Sequence, residues 1–153
     1  MPENDHGLAE KDAVISLITS LFIATDRKDW ATVKSCFADS VLFDMTSMTG
    51  GKASWIPPAE LIAGWKRGLT PIQAVHHQTG NFQIKLDGSR ADAFCYGIAY
   101  HYLPNRTGRH TRVYVGSYDI SLIRNGARWR IDRFKFNLKF MDGNAHLEKY
   151  ARR

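Results

Sequence analysis

The sequence predicts a single α+β domain in which helices at the N-terminal end wrap a curved antiparallel or mixed sheet. Three helical segments come first, with one short strand among them, and four long strands follow one another through turns. Strands that are segregated from helices in this way indicate an α+β fold rather than a parallel α/β sheet. The length of 153 residues fits one domain, and 12% aromatic residues suffice to line a pocket as well as a core.

The N-terminal part of the chain carries helical signals. Apolar side chains recur there at spacings of three and four residues, which places them on one face of a helix. Asp29 is a favourable N-cap for a second helix, and Pro57 and Pro58 fit the start of a third. A short strand at residues 41–43 precedes a Gly-containing loop at residues 45–56. The predicted helices cover residues 8–25, 30–37 and 59–67.

Strand signals fill the second half of the chain. Turn pairs such as Asp87-Gly88 and Asn125-Gly126 separate long runs of alternating apolar and polar residues, a pattern typical of antiparallel hairpins. Because each run follows its neighbour through a short turn, we expect a four-stranded meander. The predicted strands cover residues 75–86, 91–103, 112–124 and 129–140.

Two irregularities indicate that this sheet is strongly bent. In the last strand the apolar parity slips by one residue between Ile131 and Phe134, which is the signature of a β-bulge near residues 132–133. In the second strand one face carries only small residues, and this face leaves room beside the sheet. These small residues are Ala93, Cys95, Gly97 and Ala99. A curved sheet with one roomy face, covered by helices, forms a cone around a cavity.

Asp26 is the most informative polar residue of the first helix. It follows Ile18 and Phe22 at intervals of four, so it continues the apolar stripe and points toward the core. The C-terminal end of a helix disfavours a carboxylate, and burial without a partner is costly. The pattern leaves two interpretations open: a functional carboxylate in the cavity, or a turn residue in solvent, as Asp often is.

Two adjacent histidines, His76 and His77, open the first long strand, and either could act as a general base near neutral pH. His76 shares the parity of Phe82, so simple alternation sends His76 to the apolar face. A bulge near Gly80 would reverse this assignment and turn His77 inward. The residues alone do not decide between these alternatives, nor between a functional histidine and an exposed one.

Composition and charge narrow the classes of function. The net charge is +6, but the basic residues are scattered, so nucleic-acid binding is not expected. No nucleotide-binding or metalloprotease motif occurs and the histidines lack metal-ligand spacing, so we expect no cofactor and no metal. A polar N-terminus, no long apolar run and two lone cysteines, Cys36 and Cys95, predict a cytoplasmic protein without a membrane segment.

Five short segments carry a family resemblance: ATDRKDW (residues 24–30), FAD (37–39), HQTGN (77–81), GSY (116–118) and GARWRI (126–131). Their order and spacing resemble the SnoaL-like group of the nuclear transport factor 2-like superfamily over residues 8–144. The group includes scytalone dehydratase, lindane dehydrochlorinase and bile-acid dehydratase. The resemblance implies a conical α+β barrel with its pocket between the sheet and the helices.

The same resemblance implies a catalytic Asp–His dyad. Carried over to this sequence, the Asp that closes the first helix is Asp26, and the His that opens the long strand is His77. The resemblance therefore favours His77 over His76 as the residue in the pocket. Leu21 and Met45 stand where the dehydratases carry tyrosines. The implied chemistry is accordingly proton abstraction in general rather than dehydration of that particular type.

We therefore expect a cofactor-independent, dehydratase-like lyase or isomerase acting on a small, hydrophobic, cyclic substrate. His77 would remove a proton from carbon while Asp26 fixes the tautomer of its ring. Arg133, beside the inferred bulge, would stabilise the developing negative charge. The residues expected to line the pocket are Phe22, Phe43, Trp55, Trp65 and Tyr118. The alternatives are a non-catalytic small-molecule-binding module, or a structural partner like the small subunit of ring-hydroxylating dioxygenases.

The predicted domain covers residues 8–144, between a disordered N-terminus (residues 1–7) and a loose C-terminal tail (residues 145–153). The face of the sheet away from the helices would carry exposed aromatic side chains, and such a patch usually marks an interface. We therefore expect a homodimer or homotrimer formed through the sheet. The residues expected on this face are Tyr100, Tyr102, Phe136 and Phe140.

Overall fold

Helices pack over one face of a six-stranded sheet in the structure, a computed structural model that describes residues 5–151. The helices are α1 (Asp5–Asp26), α2 (Trp30–Ser35), α3 (Thr46–Thr49) and α4 (Pro58–Leu69), with a 3-10 turn at Glu148–Tyr150. The strands are β1 (Phe37–Asp44), β2 (Ser54–Ile56), β3 (Ala74–Asp87), β4 (Arg90–Tyr102), β5 (Thr111–Asn125) and β6 (Arg128–Gly143).

The sheet is open and mixed, with the strand order β2-β1-β6-β5-β4-β3. The four long strands form the predicted antiparallel meander, and β1 adds to β6 in parallel. Helix α1 packs on β3 and β6, while α4 packs on β1. The predicted α+β class, a curved sheet wrapped by N-terminal helices, is confirmed. No helix among residues 5–151 is long and apolar enough to cross a membrane.

The N-terminal half differs from the prediction in detail. Helix α1 already begins at Asp5, so residues 5–7 are helical and not disordered, while residues 1–4 lie outside the described part of the chain. Strand β1 starts at Phe37, which the helical pattern had included, because this residue pairs with Ile131 of β6. The predicted loop at residues 45–56 contains α3 and β2, and β2 extends the sheet by one strand beyond β1.

The bulge expected in the last strand is confirmed. Ser121 pairs with Arg133 and Leu122 pairs with Ile131, which leaves Asp132 as the extra residue of β6. The bulge keeps apolar residues on the same face before and after it, as the parity slip indicated. The strand therefore bends around the helices while Ile131, Phe134 and Phe136 stay buried on both sides of the bulge.

A second bulge lies in β3 and decides which histidine faces inward. The register between β3 and β4 shifts between Gly80 and Gln83, and Asn81 there adopts a left-handed φ of 55°. The shift reverses the parity of the strand, so His77 shares the concave face with the apolar residues that follow the bulge. His76 is exposed on the opposite, convex face.

The small residues of β4 lie on the concave face, as predicted. Ala93, Cys95 and Ala99 are buried there. Gly97 gives space to an aromatic ring, because a Cβ at this position would lie 2.2 Å from the ring of Tyr118. The small side chains thus let the tyrosine lie across the neighbouring strand and leave an opening above it.

The C-terminal tail is not loose over the residues that the structure describes. Leu147 is fully buried in a small apolar cluster with Leu69, Ile72 and Val75. Ala151 forms a β-bridge with Asn105, so the tail is held on both sides of the 3-10 turn. No periodic pattern indicates this packing, because Leu147 is a single large apolar residue in a polar segment.

Candidate active site

A cavity of about 370 Å³ lies between the concave face of the sheet and the helices. Most of its wall is apolar or aromatic: Phe22, Met45, Met48, Trp65, Leu69, Tyr114, Tyr118, Phe134 and Phe136. The polar lining consists of Thr25, Thr49, His77, His101, Arg112 and Glu148. Its volume falls in the range of small-molecule sites, which are mostly apolar with a few polar groups.

Asp26, the last residue of helix α1, lies at the edge of this cavity. Phe22 and Ile18, one and two turns earlier, are buried on the same side of the helix, so the carboxylate follows the apolar stripe inward. The chain then leaves the helix through Lys28, which has a φ of 56°. The Lys28 ammonium donates a hydrogen bond to the carbonyl of Ile72 at 2.7 Å. This bond fixes the end of α1 against the segment that leads into β3.

Asp26 and His77 are hydrogen-bonded to each other. The distance from the ring Nδ1 of His77 to Oδ1 of Asp26 is 2.6 Å, and both side chains are largely buried. Because an ionised carboxylate only accepts hydrogen bonds, Nδ1 carries the proton, and Nε2 of the neutral ring keeps its lone pair. Among residues 5–151, no group hydrogen-bonds to Nε2. In its neutral form His77 therefore presents Nε2 as a hydrogen-bond acceptor beside an apolar cavity.

A second polar cluster on the wall joins three residues. Arg112 donates two hydrogen bonds to the Glu148 carboxylate, at 3.1 and 2.7 Å. Its Nη2 also donates to Nδ1 of His101 at 3.0 Å. The Nε of Arg112 is enclosed and has no partner among the described residues. The 3-10 turn of the tail thus supplies a wall of the cavity.

The surroundings shift the pKa values of this cluster. Burial, together with the neighbouring charge of Arg112, lowers the pKa of His101 to about 4, so this imidazole is neutral at pH 7. Burial alone would raise the pKa of Glu148, but hydrogen bonds and charge from Arg112 bring it below its usual value. At neutral pH the cluster therefore consists of one ion pair and one uncharged imidazole.

Aromatic rings form the floor of the cavity beneath the dyad. The ring of Phe22 lies 5.1 Å from the His77 ring and 4.8 Å from that of Tyr118, measured between centroids. Tyr118 also contacts Phe136 at 4.9 Å. Burial raises the pKa of the Tyr118 phenol, which therefore stays protonated at neutral pH. These contacts hold the imidazole against a rigid apolar surface.

The structure brings together some of the predicted pocket residues and separates others. Phe22, Trp65 and Tyr118 line the cavity with His77. Phe43 lies one layer behind the wall, where its ring contacts Trp65 and Phe134. The expectation that Phe43 faces the ligand space is therefore wrong, although it supports a residue that does.

Two further expectations, for Trp55 and Arg133, are also wrong. The Trp55 side chain is 54% exposed on the edge strand β2. The Arg133 guanidinium lies 5.7 Å from the centre of that ring, away from the cavity. The bulge explains this position: Arg133 pairs with Ser121, whose hydroxyl bonds Asp92 on the convex face. Arg133 therefore cannot stabilise charge in the pocket.

The predicted site did not include the polar cavity residues His101, Arg112 and Glu148. His101 shares the strand parity of Ala99 and the other small residues of β4, and this parity could have placed it inward. Arg112 and Glu148 carried no such signal, because their contact joins residues that are distant in the chain. The structure describes no group of three or more His, Cys, Asp or Glu side chains between residues 5 and 151 that could hold a metal ion.

The fold and the cavity define a conical α+β domain with a ligand-sized apolar pocket and a few inward polar groups. Residues 7–135 match the family model of the SnoaL-like domain, and the chain belongs to this family, within the nuclear transport factor 2-like superfamily. Membership supports a catalytic or ligand-binding role. A comparison with curated proteins finds no significant match.

Solved structures share the fold at low sequence identity. Kfla4162 protein from Kribbella flavida is 23% identical with a TM-score of 0.87, covering 94% of this chain and 99% of that one. A candidate scytalone dehydratase from Novosphingobium aromaticivorans is 13% identical, with a TM-score of 0.81 and coverages of 92% and 91%. A hexachlorocyclohexane dehydrochlorinase, LinA type 2, is 13% identical, with a TM-score of 0.75 and 91% coverage of both chains. At these identities the likeness establishes the fold alone.

Proposed function

We propose that this protein is a cofactor-independent lyase or isomerase in which His77 removes a proton from carbon of a small, hydrophobic, cyclic substrate. One observation carries the proposal: the hydrogen bond between Asp26 and Nδ1 of His77, which leaves Nε2 as a base beside the apolar cavity. A positioned imidazole of this kind contributes typically about 10²–10⁴-fold to the rate of a proton transfer.

Asp26 has two roles in this mechanism. Its carboxylate keeps the proton of the neutral ring on Nδ1, so the lone pair stays on the nitrogen that meets the substrate. When Nε2 takes up a proton, the negative charge 2.6 Å from Nδ1 stabilises the imidazolium that forms. The interaction is strong because both groups are largely removed from water.

The apolar wall suits a hydrophobic ring as the substrate. Aromatic and methionine side chains surround most of the cavity and offer dispersion contacts without fixed hydrogen-bond directions. Two of the structurally similar proteins are named as enzymes that act on cyclic compounds. They are a scytalone dehydratase candidate and a hexachlorocyclohexane dehydrochlorinase. They support the same substrate class here, without naming the substrate.

We also propose that the protein forms a homodimer or homotrimer through the convex face of the sheet. Large apolar side chains are exposed there on neighbouring strands: Tyr96, Tyr100, Tyr102 and Phe140. Phe136, which was expected on this face, is instead buried at the cavity, because a bulge between β5 and β6 separates its parity from that of Phe140. An exposed patch of this kind is characteristic of an interface.

Hydrogen–deuterium exchange at carbon tests the enzymatic proposal without knowledge of the natural substrate. The purified protein is incubated in D₂O with cyclic ketones such as 1-tetralone, and deuterium uptake at the acidic carbon is followed by NMR. We expect wild-type protein to accelerate uptake, and His77→Gln to abolish the acceleration. His76→Gln is the matched control, because this neighbour faces the convex side, and it should behave as wild type.

Two outcomes would reject proton abstraction by His77. Equal exchange in wild type and His77→Gln would remove the base from the mechanism. Binding of the ketones without accelerated exchange would instead support the alternative of a non-catalytic small-molecule-binding module. Circular dichroism of each variant establishes that the fold is retained.

A further inference from the structure

We propose that His101 is a neutral hydrogen-bond donor that binds the carbonyl oxygen of the substrate, beside the His77 base. This inference rests on the proposed function and narrows its substrate class to hydrophobic carbonyl compounds that carry an acidic C–H next to the carbonyl. It also assigns Arg112 as the residue that positions the His101 ring and selects its tautomer.

The tautomer of His101 follows from its neighbour. Nη2 of Arg112 lies 3.0 Å from Nδ1 of His101. A guanidinium group has only donors and does not lose its proton in proteins, so Nδ1 must accept. A neutral imidazole that accepts at Nδ1 carries its proton on Nε2. Because His101 lines the cavity, this N–H is the group that it offers to a ligand.

The two cavity histidines are therefore in opposite tautomers. A carboxylate holds the proton of His77 on Nδ1, so its Nε2 accepts. A guanidinium holds the lone pair of His101 on Nδ1, so its Nε2 donates. The partner of His77 accepts a hydrogen bond, whereas the partner of His101 donates one. This difference gives His77 a basic role and His101 an electrophilic role.

The environment of His101 keeps the ring uncharged. The charged or titratable groups that act on it are Arg112 and Glu148 within the cluster, with His77 and Asp26 of the dyad. Both oxygens of Glu148 accept hydrogen bonds from Arg112, and this carboxylate makes no hydrogen bond to His101. Burial and the guanidinium charge outweigh the two carboxylates, and His101 remains a donor that does not compete with His77 for the proton of the substrate.

The strand register places the donor next to the base. His77 pairs with Ala99 and Val75 pairs with His101 across β3 and β4. His77 and His101 are thus diagonal neighbours on the concave face, for which the Cα separation is about 7–8 Å. One small molecule can therefore place its carbonyl oxygen at Nε2–H of His101 while an adjacent C–H lies at Nε2 of His77.

The proposed step balances without a cofactor. The proton moves from carbon to Nε2 of His77, the electron pair of the C–H bond forms a carbon–carbon double bond, and the carbonyl π pair moves to oxygen. The resulting enolate accepts the hydrogen bond from His101, which is stronger than the bond to the neutral ketone because the acceptor is now ionised. When the substrate carries a second double bond conjugated with the enolate, return of the proton from His77 to the far carbon of this dienolate completes an isomerisation. When the β-carbon carries a leaving group, the carbonyl re-forms, a double bond forms between the α- and β-carbons, and the leaving group departs with its electron pair and takes the proton of His77, which completes an elimination.

The tautomers are tested first, by NMR of protein labelled with nitrogen-15 at histidine. At neutral pH we expect a proton on Nδ1 of His77, and a neutral His101 ring that is protonated at Nε2. In Arg112→Gln the pKa of His101 should rise, since the guanidinium charge is lost while Glu148 remains. A His101 ring that carries its proton on Nδ1, or that is charged at neutral pH in wild type, would overturn the proposal whatever the activity of the protein.

Binding is tested next with 1-tetralone labelled with carbon-13 at the carbonyl. Infrared spectroscopy should show a lowered carbonyl stretching frequency in the complex with wild type and with His77→Gln. The shift should disappear in His101→Ala, with affinity reduced about tenfold, the value of one net hydrogen bond. His76→Ala is the matched control and should keep the shift. A shift that survives in His101→Ala would refute the assignment.

These readouts separate this inference from the proposed function. Deuterium exchange reports on His77, whereas the carbonyl frequency reports on His101. A His101-dependent shift without deuterium exchange would reject the base and retain the carbonyl site. Exchange without such a shift would retain the base and reject the donor. If Arg112→Gln fails to fold, the wild-type tautomers and the carbonyl shift still decide the question.

Discussion

Both carboxylate oxygens of Asp26 accept hydrogen bonds from the same residue, His77. Oδ1 accepts from the ring Nδ1 at 2.6 Å, and Oδ2 accepts from the backbone N–H at 2.9 Å. The second bond ties the carboxylate to the strand backbone, so the position of the acid is fixed relative to the ring that it orients. This double contact makes the dyad sensitive to any change that replaces one oxygen.

Replacing Asp26 with Asn should reduce carbon exchange about 10²–10⁴-fold. An amide has one oxygen, and if the backbone N–H of His77 takes it, the NH₂ group faces Nδ1. The ring must then accept at Nδ1 and carry its proton on Nε2, which is the wrong tautomer for a base. NMR of the His77 nitrogens and the deuterium assay measure the two consequences. Unchanged exchange in this variant would contradict the assigned role.

Stability should fall as the pH is lowered from about 6.5 toward 4.5, because of His101. The pKa of this residue is about 4 in the folded protein, against an ordinary value of 6.5. Below pH 6.5 the unfolded chain takes up a proton that the folded protein does not, so the free energy of unfolding decreases. We expect a loss of about 1–3 kcal/mol over this window, measured by urea denaturation.

His101→Gln is the control for this pH dependence. The Gln side chain can still accept a hydrogen bond from Arg112 but does not titrate, so the variant should lose less stability over the same window. Glu148, whose pKa is lowered in the folded state, contributes only below its ordinary value of 4.5 and therefore lies outside it. Identical pH profiles for the two proteins would show that His101 is not the titrating group.

Removing the anchor of the C-terminal tail should destabilise the fold. Leu147 is fully buried, so Leu147→Ala should lower the free energy of unfolding by about 2–5 kcal/mol. Leu8, which is 51% exposed on α1, gives the matched control: Leu8→Ala should change stability by no more than about 0.5 kcal/mol. Urea denaturation measures both. Equal effects would show that the tail is not stably packed in solution.

The convex face should mediate self-association. We expect a dimer or trimer in sedimentation velocity at micromolar concentration, and dissociation when charge is introduced by Tyr100→Lys with Phe140→Lys. Both side chains are exposed on this face, by 42% and 55%. Ile23→Lys, at an exposed apolar position on α1, should leave the assembly intact. A wild-type monomer under these conditions would reject the interface.

The sequence alone determined the class of fold and the face of α1 on which Asp26 lies. Local patterns sufficed for this, because periodicity places Ile18, Phe22 and Asp26 on one side of α1 and a parity slip marks the bulge of β6. The choice between His76 and His77 needed more than local pattern. A family resemblance favoured His77, and the register shift after Gly80 provides the physical reason.

Only the tertiary structure decided what else surrounds the cavity. Trp55 and Arg133 were expected inside, but edge-strand pairing and the extra residue of the bulge turn them outward. Arg112 and Glu148 meet across a contact between a strand and the tail, and no periodicity connects residues so far apart in the chain. Local patterns report which face of its own element a side chain occupies. Which elements meet at that face depends on the packing of the whole chain. This packing places the Arg112 guanidinium within hydrogen-bond distance of the His101 ring.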